Sequence, residues 1–567
     1  MTGIALGAAG GRGGWRARLA DPWTVLTLVA LAVLAVFVAV PLAELVRQSV
    51  VGQESGRFGL ENFQTFFGSR YFRRALMNSL TVAGLGTLFA LLIGLPLALF
   101  FARFDFAGKR WLEIGVLMSM LSPPFVGAYA WILLFGRSGF VTLAARDLGI
   151  NLPPIYGPVG IAIASAFALY PVVFLIMRGG FLRVDRSLEE AAAGLGRGPL
   201  ATIFTVTLPL VVPAMATSAL LVFLNIIADF GTPSILGEGE RYPVLATLAY
   251  SLYLSEIGSE TGMAATTSVV LVVISLSLVL VARVFSVRRT VTNDQGARAV
   301  ARRLTGGAGL AAAVGATLVV VVANMPLIVV CVSSFLEVRG VVFQPAFTLA
   351  NHARAIAVMG DALWNSLIFA GIALVAVIVA GTAIGYVVAR RDGFLTRSLD
   401  LMVMVPYVVP GTVIGIGYAS VFNGPPLFLT GTATVIVIVY AVRRLPYMVR
   451  SASSIVYQID RGLEDASLNL GEPPMRGFRR VMVPLMRPGV LAGASIAWVE
   501  IFNELSSSIV LYTAGTRTLP IAAYQQSLGG DVGMAAAYAT MLIAITAAAL
   551  LVFTLLGGAD RERGLTL

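Results

Sequence analysis

"DRSLEEAAAGLGRGPLATIFTVTLPLVVP", residues 185–213, is a polar segment ending in prolines within an otherwise oily chain, and it occurs twice. The stretch "DRGLEDASLNLGEPPMRGFRRVMVPLMRP" at 460–488 aligns with it without a gap. Of the 29 aligned positions 12 are identical, among them Asp185/Asp460, Glu189/Glu464, Gly196/Gly471, Pro209/Pro484 and Pro213/Pro488. Agreement of that density marks a tandem duplication. A second pair supports it: "ALMNSLTVAG" at 75–84 returns as "ALWNSLIFAG" at 362–371, and the pattern A-R-x-D at Ala102–Asp105 returns at Ala389–Asp392.

The local chemistry of the repeated segment predicts a helix, a turn and a second helix. Ser187 and Glu190 have the S-x-x-E spacing of a capping box, so a short helix is expected to start there and run through the alanines. Gly196 and Gly471 suit the left-handed residue that ends a helix, and Pro199 and Pro474 suit the first turn of the next. Pro209 and Pro484 are expected to mark the turn back into the apolar spans. Acids followed by small alanines favour close docking of another surface on this knob. The alternative is a brace for neighbouring spans with solvated acids.

The surroundings decide where such a knob can project. The chain has 567 residues, 58% hydrophobic and only 12% charged, which is the composition of a membrane protein. Apolar runs long enough to cross a hydrocarbon core of about 30 Å recur near 24–46, 77–102, 112–136, 155–177, 211–236 and 262–285. Six more follow near 308–334, 364–389, 399–422, 428–449, 488–512 and 532–557. The expected fold is therefore all-α, with about 12 transmembrane helices as two tandem six-helix repeats. The repeats are placed at 1–285 and 308–567, joined by a polar, basic cytoplasmic linker at 286–307. An even number of spans per repeat makes both copies run in the same direction, related by an axis along the membrane normal.

Orientation follows from the basic residues. Most of the 40 Lys and Arg, including Arg288, Arg289, Arg302, Arg303, Arg443, Arg444, Arg479 and Arg480, fall in segments that are inside if the N-terminus is cytoplasmic. Both termini are then expected in the cytoplasm and both knobs on that side. Arg70, Arg73 and Arg74 run against the trend. The formal charge of +11 is scattered between apolar spans rather than gathered on one polar face, so it reads as a topology signal and not as a nucleic-acid surface. The apolar run after Trp23 is too long for a signal-peptide core and reads as an uncleaved first span.

Several chemistries are excluded by counting. Cys331 is the only cysteine and His352 the only histidine, so no internal disulfide, no metal-ligand set and no Ser/His triad is expected within the chain. A P-loop needs G-x-x-x-x-G-K-[ST], yet the only lysine, Lys109, is followed by Arg110 and lacks the upstream glycine. No catalytic residue is expected.

On these residues both copies resemble the cytoplasmic EAA loop of ABC importer permeases: E-A-A, a glycine six residues after the Glu, then a hydrophobic-x-L-P ending. Glu190, Ala191, Ala192, Gly196, Val206, Leu208 and Pro209 carry every element of it. The second copy departs, with Asp465, Ala466, Ser467 and Val483 in place of Glu, Ala, Ala and Leu, while Gly471, Val481 and Pro484 remain. The departures suggest that the two docking sites are not equivalent. The fused layout is similar to the iron(III) permeases and their relatives for thiamine, polyamines and phosphonates.

The resemblance implies a permease subunit in a bacterial plasma (inner) membrane. It implies coupling helices built from Glu189, Glu190, Ala191, Ala192, Gly196 and Pro209, and from Glu464, Asp465, Ala466, Gly471 and Pro484. These would dock onto two ATP-binding cassette subunits that hold the ATP and magnesium, leaving no cofactor in this chain. An extracytoplasmic binding protein would deliver the cargo, ferric iron first among the candidates. Candidate pathway residues lie in the span after each loop, where the alignment sets Asn225 opposite Glu500 and Asp229 opposite Glu504, with Asn503 beside them. An acid at mid-membrane costs about 2.5–3.5 kcal/mol on insertion scales, so it usually faces a protein interior or a water-filled path; symmetric acids suit a cation or amine. The alternative is that they sit near the outer interface, paired with backbone amides or an arginine. Gly231 and Pro233 either interrupt that span or end its helix. A proton-coupled secondary transporter shares the span count and parallel repeat, and a non-transporting scaffold is a third class.

Overall fold

The computed structural model describes residues 21–52, 56–255, 261–287, 302–340 and 342–562. The glycine-rich segment at 7–14 and most of the 286–307 linker lie outside them. In the first half the main helices are α1 (Pro22–Val50), α2 (Arg70–Arg103), α3 (Lys109–Met118), α4 (Pro124–Phe135) and α5 (Pro158–Leu182). They continue as α6 (Arg186–Gly194), α7 (Pro199–Ala228), α8 (Gly231–Leu236), α9 (Leu245–Tyr253) and α10 (Thr261–Val287). The second half repeats the order with α11 (Gly306–Ser333), α12 (Ala350–Arg390), α13 (Phe394–Val408), α14 (Gly411–Val421) and α15 (Ala433–Gln458). It ends with α16 (Arg461–Asn469), α17 (Pro474–Phe502), α18 (Ser508–Leu511), α19 (Leu519–Gly529) and α20 (Val532–Glu562).

Among the described residues ten helices are long and apolar enough to cross a membrane, and the pair α13 and α14, bent by 107°, makes an eleventh. The run expected at 428–449 is α15, in which Arg443, Arg444 and Arg450 interrupt the apolar sequence. The runs expected at 112–136, 211–236 and 488–512 are each interrupted rather than continuous. Such non-helical backbone is tolerated at membrane depth where it is buried in protein or lines a cavity.

Glycine sets the spacing within each half. A Cβ on Gly94 of α2 would meet Val173 Cβ at 2.7 Å and the Tyr170 carbonyl at 2.8 Å, both on α5. In the second half a Cβ on Gly385 of α12 would meet Ala452 Cβ at 2.6 Å and the Val449 carbonyl at 2.9 Å, both on α15. Small residues of this kind let membrane helices approach to backbone contact, where dispersion replaces the missing hydrophobic drive. Gly94→Val is therefore expected to force α2 off α5 at a cost of about 1–3 kcal/mol, seen as a lower thermal midpoint of the detergent-purified protein. Gly84→Val, on the same helix with open space around it, is the matched control and should not move the midpoint.

The first helix of each half packs on the other half. Leu34 and Val38 of α1 form one buried cluster with Ile384, Leu399, Val403 and Leu445 of the second half. Asn324 of α11 donates to the Gly115 carbonyl of α3 at 2.9 Å. At one end β1 (Phe104–Asp105) pairs in parallel with β2 (Arg302–Arg303), tying the loop after α2 to the segment that leads into α11. The sequence repeats are thus interlocked rather than side by side.

Candidate translocation and coupling sites

The two knobs fold alike, from local signals. Asp185, not Ser187, caps α6: its Oδ1 accepts the Ser187 N–H at 2.9 Å, and Asp460 Oδ1 accepts the Gly462 N–H at 2.8 Å in the second copy. This corrects the expected Ser187/Glu190 capping box; an aspartate two residues earlier offers a carboxylate to the same free N–H groups. Gly196 and Gly471 both hold φ at +83° and close the helices as expected. In each knob the N–H that follows bonds back into the helix, Arg197 to the Ala192 carbonyl at 3.1 Å and Glu472 to the Ser467 carbonyl at 3.2 Å. Pro199 and Pro474 occupy the first turns of α7 and α17.

Pro209 and Pro484 do not turn the chain. They sit inside the continuous helices α7 and α17, each just after a five-residue π-helical turn at Ile203–Thr207 and Phe478–Met482. A proline removes one N–H and presses its ring on the carbonyl four residues back. Widening that turn to π geometry relieves the clash while keeping the helix intact.

Each knob is pinned to the long helix of its own half by one acid. Glu189 pairs with Arg103 and accepts the Thr207 hydroxyl at 2.6 Å. Glu464 accepts Arg390 Nε at 2.6 Å and the Tyr386 hydroxyl at 3.1 Å, while Arg390 also donates to the Ile459 carbonyl at 2.7 Å. Arg103 and Arg390 are the arginines of the repeated A-R-x-D pattern, so their pairing was written in the sequence but not recognisable as a pairing there. Glu189 and Glu464 therefore face the protein. Glu190, Ala191, Asp465 and Ala466 face outward, and Ala192 is buried. The knob tips are apolar: Leu195 is 85% exposed and its counterpart Leu470 is 86% exposed.

The pathway candidates converge. Asn225, Asp229, Glu500, Asn503 and Glu504 all line one cavity of about 180 Å³ at the breaks that follow α7 and α17. Its other walls come from the α3–α4 break at Ser122–Phe125, from Ser165 and Leu169 of α5, and from Arg443 and Arg444 of α15. Gly231 packs tightly on Phe125 of its own half and touches Leu505 of the other, since a Cβ there would meet Phe125 Cβ at 2.6 Å and Leu505 Cδ2 at 3.4 Å.

The aligned acids have different surroundings. Asp229 caps its own broken helix, with Oδ1 on the Gly231 N–H at 3.0 Å and Oδ2 on the Thr232 N–H at 3.2 Å. Gly231 and Pro233 thus belong to a new short helix, α8, and interrupt the span. Glu504 is only 3% exposed and is held by both Arg443 and Arg444 as well as by the N–H and hydroxyl of Ser507 at 3.0 Å each. Glu500 takes Arg444 Nη1 at 3.0 Å. In the first half Ala168 and Leu169 occupy the positions of Arg443 and Arg444. The expected symmetric pair of cation-facing acids is therefore not formed: Glu504 is neutralised inside its own half.

Arg443 and Arg444 were counted above among the cytoplasmic positive charges, and the structure moves them to the cavity. The signal was the doubled arginine within "VIVIVYAVRRLPYMV" at 435–449. Two such charges inside an apolar run call for buried partners. Among the described residues no group of three or more His, Cys, Asp or Glu is placed to hold a metal ion. His352 stacks on Phe335 at 4.7 Å.

Residues 90–291 and 378–559 match the family described as binding-protein-dependent transport system inner membrane component. The chain belongs to that family. The two matched segments exclude α1 and α11, the two helices that cross to the opposite half. Among curated relatives, this permease is 31% identical over 523 residues to the ferric transport system permease protein FbpB of Actinobacillus pleuropneumoniae, covering 89% of this chain and 74% of the relative. It is 32% identical over 472 residues to the putative ferric transport system permease protein FbpB 1 of Haemophilus influenzae, covering 81% and 73% respectively. A chain from a bacterial ABC transporter involved in alginate import aligns with 49% of this permease at 22% identity and a TM-score of 0.41. The protein is a multi-pass inner-membrane transport permease built from two repeats of one unit.

Proposed function

We propose that this permease forms the translocation pathway of an ATP-driven importer for ferric iron. Two ATP-binding cassette subunits would dock on the knobs at 185–213 and 460–488 and hydrolyse ATP with magnesium, so that the permease itself performs no catalysis. An extracytoplasmic binding protein would load the cavity, and both termini would lie in the cytoplasm. The observation that carries this reading is the repetition of one anchor. Arg103–Glu189 and Arg390–Glu464 fix one knob to each half, and the cavity lies between those halves.

The geometry supplies a mechanical route. Movement of a knob passes through its Arg–Glu anchor to α2 or α12, and these pack at backbone contact on α5 and α15, which help to line the cavity. Drawing the knobs together would rock the halves and change which side the cavity faces. The cavity lining carries three acids and two arginines, a formal charge of minus one. That charge favours a cation without gripping it, as transport requires. The ferric assignment rests on the relatives named above and is compatible with that charge.

The test is reconstitution of the permease with its ATPase subunit and binding protein in liposomes, following radiolabelled ferric iron. Accumulation is expected only with ATP and the ATPase subunit. Uptake driven by a proton gradient without the ATPase would select secondary transport instead. Uptake of thiamine, a polyamine or 2-aminoethylphosphonate, but not iron, would reassign the cargo.

A further inference from the structure

The two knobs have the same shape and different attachments. In the first, Glu189 is bonded to Arg103 of α2 and to Thr207 of its own return helix. In the second, Met482 replaces that threonine, and Glu464 takes its extra hydrogen bond from Tyr386 of α12. Tyr386 in turn packs against Trp23, with ring centroids 4.6 Å apart, and Trp23 lies edge-on to Phe478 at 5.1 Å. Tyr386 and Phe478 close the triangle at 4.8 Å. Trp23 is only 2% exposed and belongs to α1, the first helix of the opposite half. Beside it Asp21 pairs with Arg391 at 3.1 Å.

No such triangle is available to the first knob. Leu99 stands at the position of Tyr386 and Ile203 at that of Phe478, and α11, the counterpart of α1, begins "GGAGLAAAVG". Among the described residues the cross-half tie on that side is the pairing of β1 with β2, which begins one residue after Arg103. Phe478 lies in the π turn of the second knob's return helix, so the triangle grips the knob on both sides of its glycine turn.

We infer that Trp23 is a positioning residue that straps the second knob to the first half, so that motion at the second knob is delivered to both halves. This rests on the coupling role proposed above. A strap between the halves makes a specific demand. Cutting it leaves each half intact and lets the second knob move without carrying α1, so ATP is hydrolysed with less transport. A residue that merely stabilised the fold would lower hydrolysis and transport together.

The experiment uses the permease with its ATPase subunit and binding protein in liposomes, reading ATP hydrolysed per labelled ferric ion imported. Trp23→Ala is expected to raise that ratio about ten-fold with hydrolysis within two-fold of the starting protein. Trp23→Phe should restore it, and Leu99→Ala, at the first-half position that matches Tyr386, should leave it unchanged. A proportional fall in both rates, or an unchanged ratio in Trp23→Ala, overturns the inference. Should Trp23→Ala fail to accumulate in the membrane, Phe478→Ile decides, since it removes the edge-on contact with Trp23 and leaves the residue that the first knob carries at that position. A raised ratio in Phe478→Ile supports the strap and an unchanged one overturns it. Absence of ATP-dependent uptake in the unmutated complex defeats the proposed function instead, which separates the two failures.

Discussion

Glu504→Ala should be the most damaging single substitution in the membrane region, destabilising the permease by about 3–5 kcal/mol, the usual cost of removing one partner of a buried ion pair. The magnitude follows from what is left behind. Arg443 and Arg444 each expose only 12% of their side chains, and Glu504 is the carboxylate they share. Glu500 retains its contact with Arg444, but Arg443 loses the carboxylate it pairs with among the described residues. The Ser507 N–H and hydroxyl lose their acceptor as well, which loosens the break after α17. Arg443→Met should cost less, because it removes a charge while Arg444 continues to neutralise Glu504. The thermal midpoints of the detergent-purified variants give the comparison, and a Glu504→Ala midpoint equal to that of the starting protein would mean that the network does not hold the cavity together. Asp229→Ala, at the aligned position, removes only a helix cap and should cost about 0.5–2 kcal/mol.

The unequal fates of Asp229 and Glu504 show what a sequence of this kind reveals and what it conceals. The knobs were legible almost residue by residue, because a helix stop at Gly196 and a helix start at Pro199 are set by neighbours in the chain. Where local reading failed it failed by a short step: Asp185 reaches the same N–H groups that Ser187 was expected to cap. The π turns before Pro209 and Pro484 were not legible, since a continuous helix with one widened turn and a helix that ends leave similar apolar patterns. Convergence of Asn225, Asp229, Glu500, Asn503 and Glu504 on one cavity followed from the repeat, which places matching positions about a common axis. The partner of Glu504 did not follow from it. Arg443 and Arg444 have no counterpart in the first half, and an arginine in an apolar run reads as a span boundary unless the fold shows a carboxylate beside it. The crossing of α1 and α11 was equally hidden, because nothing near Trp23 in sequence specifies that its ring will lie between Tyr386 and Phe478.

The knob tips carry the other large expected effect. Leu195 and Leu470 are 85% and 86% exposed at the ends of helices pinned by part-buried ion pairs. Full burial of a leucine is worth about 1.5–3 kcal/mol, and each 1.4 kcal/mol is about ten-fold in affinity. Leu195→Asp and Leu470→Asp should each weaken binding of an ATPase subunit at its own knob by about ten- to a hundred-fold, and the double variant should show that loss at both knobs. The variants leave the Arg103–Glu189 and Arg390–Glu464 anchors untouched, so the permease should purify with an unchanged thermal midpoint. Binding is read by titrating labelled ATPase subunit onto permease in nanodiscs. Equal affinity for the double variant and the starting protein would show that the tips do not enter the partner, leaving the knobs as braces for α7 and α17.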